Sequence, residues 1–162
     1  MAAYHQTARA EIARLKAQLD ALFLRCEAVP DEEELTGDLN RYLCVRVSGF
    51  LEQSLVAASR SLCTARSGRE GLQFALSWLE RAPNPRADEI LRLVKRFDKD
   101  WANELETVLA EDERGTRINS LLGIRNDIAH GKNQGVSRRQ AWEYFQLVGE
   151  IVQWLLERFE PR

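Results

Sequence analysis

No stretch of this chain alternates apolar and polar residues with period two; wherever apolar side chains recur, they do so at intervals of three and four. That spacing gathers side chains onto one face of an α-helix, and without alternation a half-buried strand has no face to bury. Near the N-terminus Ala8, Ile12, Leu15, Leu19, Leu22 and Cys26 alternate spacings of four and three. This is the seam of a long amphipathic helix. The last stripe is Trp142, Phe145, Val148, Ile151, Val152, Leu155, Leu156 and Phe159. The chain is therefore expected to be all-α, an antiparallel bundle of about six or seven helices including an extra N-terminal one.

Turn residues divide the stripes. Val29-Pro30 stops the first helix, and the acids Asp31 to Glu34 open the second at its positive end. That second helix, roughly 31–65, carries Leu35, Leu39, Leu43, Phe50, Leu51, Leu55 and Leu62. Within it, Arg46-Val47-Ser48-Gly49-Phe50-Leu51-Glu52 is a small and polar insertion. A mid-helix glycine costs about 1 kcal/mol relative to alanine, so Gly49 is expected to serve a close helix approach. Arg46 and Glu52 read either as surface charges or as polar groups that are buried or face a dimer partner. Ser67-Gly68 breaks the chain ahead of Leu72, Ala75, Leu76 and Leu79. Ala82-Pro83-Asn84-Pro85 is a turn in which Asn84 can cap and Pro85 fits the first helical position. Ile90, Leu91, Val94 and Phe97 follow, Asp98 to Asp100 marks a kink, and Trp101, Leu105, Val108 and Leu109 resume. Gly115-Thr116 precedes a sixth segment, Lys132 to Gly135 is a polar turn, and Ser137 with Gln140 forms a capping box for the last helix.

At 162 residues, 44% hydrophobic and 30% charged, the chain supports a single core. The expected organisation is an accessory or dimerisation helix over 1–30 and a helical domain over 31–162, in one folding unit. Arg9, Glu11, Arg14, Lys16 and Asp20 interrupt any signal-peptide core, and no uncharged run approaches the roughly 18 residues of a membrane span. A soluble, cytoplasmic protein with no membrane partner is expected. Cys26, Cys44 and Cys63 are odd in number and too widely spaced for a metal or redox unit, so they read as reduced, buried thiols. With His5 and His130 the only imidazoles, one chain holds no zinc ligand set, and no metal or other cofactor is expected.

The sixth segment places a charge where a helix should be apolar. Ile118, Leu121, Leu122, Arg125 and Ala129 fall at i, i+3, i+4, i+7 and i+11, with Ile124 and Ile128 on the flanks. A guanidinium there implies a carboxylate such as Glu52, a phosphate or a second chain opposite it. Asn126 and His130 share a second face about 100° to 140° round the helix. Gly131 follows as a left-handed terminator, which leaves the imidazole accessible on the last turn. On its own residues His130 reads equally as a cap interacting with the helix dipole.

The overall charge of −2 conceals a polarity: Arg114, Arg117, Arg125, Lys132, Arg138 and Arg139 face one acid, Asp127, over 114–139, a local net of +5 that leaves −7 elsewhere. A basic island on an acidic chain suits a polyanion such as RNA, although helix ends also collect solvated bases.

Arg125-Asn126-Asp127-Ile128-Ala129-His130 resembles the R-x4-H signature of the HEPN superfamily, with Asn126, Ala129 and Gly131 in register. The segment Arg46 to Glu52 looks like the corresponding helix of the RiboL-PSP-HEPN and the similar MAE_28990/MAE_18760-like HEPN families. The resemblance spans roughly residues 35–159, and residues 1–30 fall outside it. It implies a HEPN-like helical bundle that dimerises so that two signature helices meet. For active members it implies a metal-independent endoribonuclease, often in toxin–antitoxin or antiviral defence, with an antitoxin or defence-system protein as a further partner. Carried over, Arg125 and His130 match the catalytic pair and Asn126 the polar helper. Lys132, Arg138, Arg139 and Arg117 are the expected phosphate contacts, and Arg46 and Glu52 the supporting residues. One chain supplies one suitable histidine, so general acid and general base require a dimer. The leftover stripe residues of the first and last helices are the expected source of its apolar interface. The other reading is a HEPN scaffold that binds RNA or protein without turnover.

Overall fold

The computed structural model describes residues 7–30, 33–79 and 85–160. Among them the chain forms seven α-helices and no strand: α1 (Ala8–Glu27), α2 (Glu33–Arg66), α3 (Arg69–Leu79), α4 (Ala87–Phe97), α5 (Lys99–Ala110), α6 (Arg114–Ala129) and α7 (Arg138–Phe159). The expected helix-opening acids Asp31 and Glu32 and the Asn84 cap lie outside the described residues.

The seam read on α1 is buried at Ala8, Ile12, Leu19, Leu22 and Cys26, with Phe23 added beside it. Phe23 stacks on Phe145 at 5.3 Å between ring centroids and meets Trp142 edge-on at 5.2 Å. The stripe on α7 is buried along its whole length except at Trp142, which stays 42% exposed. The stripes of α1 and α7 are thus consumed by the monomer core, which leaves Trp142 as their exposed member and Leu24, off the seam, as a second exposed apolar side chain on these helices.

Polar ties fix the direction of the long helices. Asn40, near the start of α2, donates to Val136 O just ahead of α7 at 3.0 Å. Ser61, near the end of α2, donates to the Glu160 carboxylate just past α7 at 3.2 Å. The two helices therefore run parallel, although α1 runs against both. Arg9, at the start of α1, donates to Glu160 O (2.6 Å) just past α7 and to Leu156 O (3.0 Å), which also accepts from the Glu160 amide (3.1 Å). A chain can pair two parallel helices only by carrying the backbone back between them, and α3 to α6 do so.

Several local expectations change in the structure. Asp98 is the N-cap of α5, accepting from the amides of Asp100 (2.8 Å) and Trp101 (3.0 Å), which explains the kink. Helix α6 resumes at Arg114, ahead of Gly115, because Asp112 and Glu113 supply the left-handed turn at φ 47° and 54°. The capping box on α7 is half made: Ser137 accepts from the Gln140 amide at 3.1 Å, while the Gln140 side chain turns to Tyr144. Gly49 serves no close approach, since a Cβ there would meet only the Gln53 side chain at 3.9 Å. Leu35 stays 45% exposed. All three cysteines are free and buried, as their spacing implied. No helix among the described residues is long and apolar enough to cross a membrane.

Candidate functional site

The first half of α6 is core: Ile118, Leu121 and Leu122 are buried. Beyond Leu122 burial falls off, although Ile124 still packs against the core. Ile124 and Ile128 are half-buried, and Arg125, Ala129 and His130 are exposed. The expectation that Arg125 sits buried against an anion is therefore corrected. Its face is buried at Ile118, Leu121 and Leu122 and open at Arg125 and Ala129, and its guanidinium pairs with no carboxylate among the described residues, Glu52 included. What it does meet is Asn126, whose Oδ1 lies 3.4 Å from Nη1.

The helix ends as its glycine implied. Gly131 adopts φ 72°, its amide donates to Ile128 O at 3.0 Å, and the Lys132 amide donates to Asp127 O at 2.8 Å. This pair of bonds is the Schellman arrangement, in which the side chains at the Asp127 and Lys132 positions usually make an apolar contact. Here they make an ion pair at 3.1 Å. The Lys132 ammonium, helped by the Gln134 amide and the neighbouring His130, holds the Asp127 carboxyl below its ordinary value of 3.8.

Residues 131–137 return towards α2 and are held there. Arg41 donates through Nη1 to Asn133 Oδ1 (2.9 Å) and Gln134 O (3.4 Å), and its Nη2 pairs with Asp38. Asn40 supplies its bond to Val136 O, and Gln134 Nε2 donates to Asp127. None of these residues was a sequence candidate. Asn40 carried a signal, since it lies at i, i+4, i+7 and i+11 with the buried residues Cys44, Val47 and Leu51, a polar side chain on an apolar stripe. Arg41, Asn133 and Gln134 carried none.

The structure brings Arg125, Asn126 and His130 to one exposed helix end. The basic island is less free than its composition suggests. Lys132 pairs with Asp127, Arg139 with Glu143 at 2.9 Å, and Arg114 with Glu111 and Glu150 at 2.8 and 3.3 Å. Arg117 is half-buried and makes no ion pair among the described residues. Arg138 is half-buried with a shielded Nε, and Asn40 has a shielded Oδ1, both without a protein partner among the described residues. Arg46 is half-buried on α2, donating to the Tyr42 hydroxyl at 2.9 Å with its guanidinium 5.7 Å from that ring. Glu52 is half-buried on the same helix.

Residues 7–160 match the model of the RiboL-PSP-HEPN family. The chain is a RiboL-PSP-HEPN protein. The match opens at residue 7, so it takes in α1, which the motif resemblance did not reach. The HEPN assignment places Arg125 to His130 in a helical domain whose relatives commonly dimerise and bind RNA, and it gives the chain a nuclease or RNA-related role. Comparison with curated proteins and with solved structures returned no match.

Proposed function

We propose that this HEPN protein is a metal-independent endoribonuclease of the toxin or antiviral-defence type, which cleaves single-stranded RNA in a site composed of two chains. One observation carries the reading. The R-x4-H helix end leaves the bundle with its guanidinium unpaired and exposed, flanked by the incompletely covered Ile124 and Ile128. A second α6 end laid against this face would cover those isoleucines and bring two arginines and two histidines together.

In such a site one His130 takes the proton from a ribose 2′-hydroxyl as its oxygen attacks the adjacent phosphorus. The bond from phosphorus to the 5′-oxygen breaks, and the second His130 protonates that oxygen. The products are a 2′,3′-cyclic phosphate and a free 5′-hydroxyl. Histidine suits both transfers because its unperturbed pKa lies near neutrality. The Arg125 guanidinia bind the non-bridging oxygens as charge builds on them. Asn126, in contact with Arg125, holds the guanidinium plane. Arg117 and Arg138 are the bases left for RNA phosphates. Lys132 and Arg139 can join them, since exposed ion pairs are worth about 0–1 kcal/mol and a phosphate competes with them readily.

The test is cleavage of a mixed RNA pool in EDTA, with wild type and His130→Ala side by side. We expect cyclic-phosphate ends from the wild type and a loss of about 10² to 10⁴ in rate for the variant, with RNA affinity nearly intact. Equal cleavage by both proteins would sink the assignment of His130. The engaged state of Lys132, Arg139 and Arg114 favours a second reading, a scaffold that binds a partner without turnover. That reading is correct if neither protein cleaves while the dimer persists.

A further inference from the structure

The His130 side chain is exposed and makes no hydrogen bond among the described residues. Its place in space is therefore set by backbone alone. On the N-terminal side the last turn of α6 holds it. On the other side the chain enters a seven-residue connection, 131–137, that contains Gly131 and Gly135, and at neither would a Cβ meet anything within 4 Å. Left to itself, such a segment would let the helix end fray and the imidazole wander. Gly131 and Lys132 are held by the helix end itself, and beyond them three further anchors fix the segment, two of which come from α2.

We propose that Arg41 and Asn40 are positioning residues for His130, acting through the 131–137 connection. Arg41 spans Asn133 and Gln134 with one nitrogen, at 2.9 and 3.4 Å, while Asp38 holds the other end of its guanidinium plane. Asn40 fixes Val136, whose side chain is itself buried in the core. The third anchor returns to α6: Gln134, held by Arg41 through its carbonyl, reaches Asp127 through its amide. Asp127 stands between Arg125 and His130 in the motif, so the chain of contacts runs from the rigid α2 to the middle of the signature. A general acid or base displaced by about 1 Å from its working geometry can lose roughly 10² in rate, which is the effect this clamp opposes.

The inference rests on the nuclease reading, and the experiment separates the two. Steady-state cleavage in EDTA is measured for wild type, Arg41→Ala, Arg41→Lys and Asn133→Ala, together with amide hydrogen exchange over residues 132–136. Arg41 is engaged by Asp38, Asn133 and Gln134 together, and the split between KM and kcat separates positioning from a phosphate contact. Arg41→Ala is expected to lower kcat about tenfold to a hundredfold with KM little changed, and to speed amide exchange in the connection. Arg41→Lys keeps one donor at similar reach and should recover part of the loss. Asn133 is exposed, so Asn133→Ala removes the shorter of the two Arg41 bonds to the connection from its far end with no threat to folding, and it decides the matter if Arg41→Ala melts early. A raised KM with unchanged kcat would make Arg41 a substrate contact and overturn the proposal. So would faster exchange with undiminished kcat, or unchanged exchange. A wild type that cleaves nothing overturns the nuclease reading and the positioning role together, and is recognised because the parent protein itself is silent.

Discussion

Arg125 stands on an exposed turn and ties down no other element, so removing it takes away an unpaired charge rather than a structural contact. Arg125→Ala should change monomer stability by no more than about 0.5 kcal/mol, as surface substitutions do, while lowering cleavage about 10² to 10³. Urea unfolding and the EDTA assay on one preparation check both halves, and a large loss of stability would mean that the α6 end is covered in the monomer after all. Asp127 offers a test in pH. Its carboxyl is held below 3.8, first by the Lys132 hydrogen bond, and a carboxylate with a depressed pKa contributes its stabilisation above the unfolded value and loses it as pH falls through the folded one. The Asp127–Lys132 contact should therefore persist down to 3.8 and break only below it, read as a carboxyl titration midpoint under that value by NMR. Cys44 lies at the other extreme, its thiol pushed up to about 11 by burial. Iodoacetamide at neutral pH should leave Cys44 unmodified in the native protein and label it only after unfolding.

At the scale of elements, the helices were legible wherever a stripe faced the core of its own chain. The spacings on α1 and α7 place Leu19, Phe145 and Ile151 inside because burial of a stripe needs only a neighbour, and in a bundle any packed neighbour will do. The same reasoning failed at Arg125 because periodicity reports which residues share a face and says nothing of where the covering helix stops. It failed at Leu35 for the same cause, whereas Gly49 failed because a glycine inside a helix does not by itself say that anything approaches it. The ties of Arg41 to Asn133 and Gln134 were invisible because they join exposed or half-exposed polar groups some ninety residues apart, which no local spacing encodes. Where the pattern did hold, it supports quantitative expectations. Phe23 is enclosed by Trp142 and Phe145, so Phe23→Ala should cost about 3–5 kcal/mol by chemical denaturation, the range for emptying an aromatic site in a packed core. Ser137→Ala removes the N-cap of α7 and should cost about 1 kcal/mol by the same measurement.

For the whole molecule, the uncovered end of α6 and the composite chemistry make the same demand, a second chain. Sedimentation at micromolar concentration should show a dimer, and a strictly monomeric mass would remove the composite site. RNA affinity should fall steeply with salt, less so for Arg117→Ala or Arg138→Ala, because each base that contacts a phosphate releases a counterion. The parallel pairing of α2 with α7 bears on how such a chain folds as it is made. The Asn40 bond to Val136 and the Ser61 bond to Glu160 join residues 96 and 99 positions apart, so on a ribosome α2 waits for its main partner through the synthesis of four intervening helices. The connection beyond His130 can be fully clamped only after Val136 has been made. For the nuclease proposed above, a nascent chain that has just completed the R-x4-H signature still lacks the clamp beyond its histidine, and acquires it only when the residues up to Val136 have joined α2.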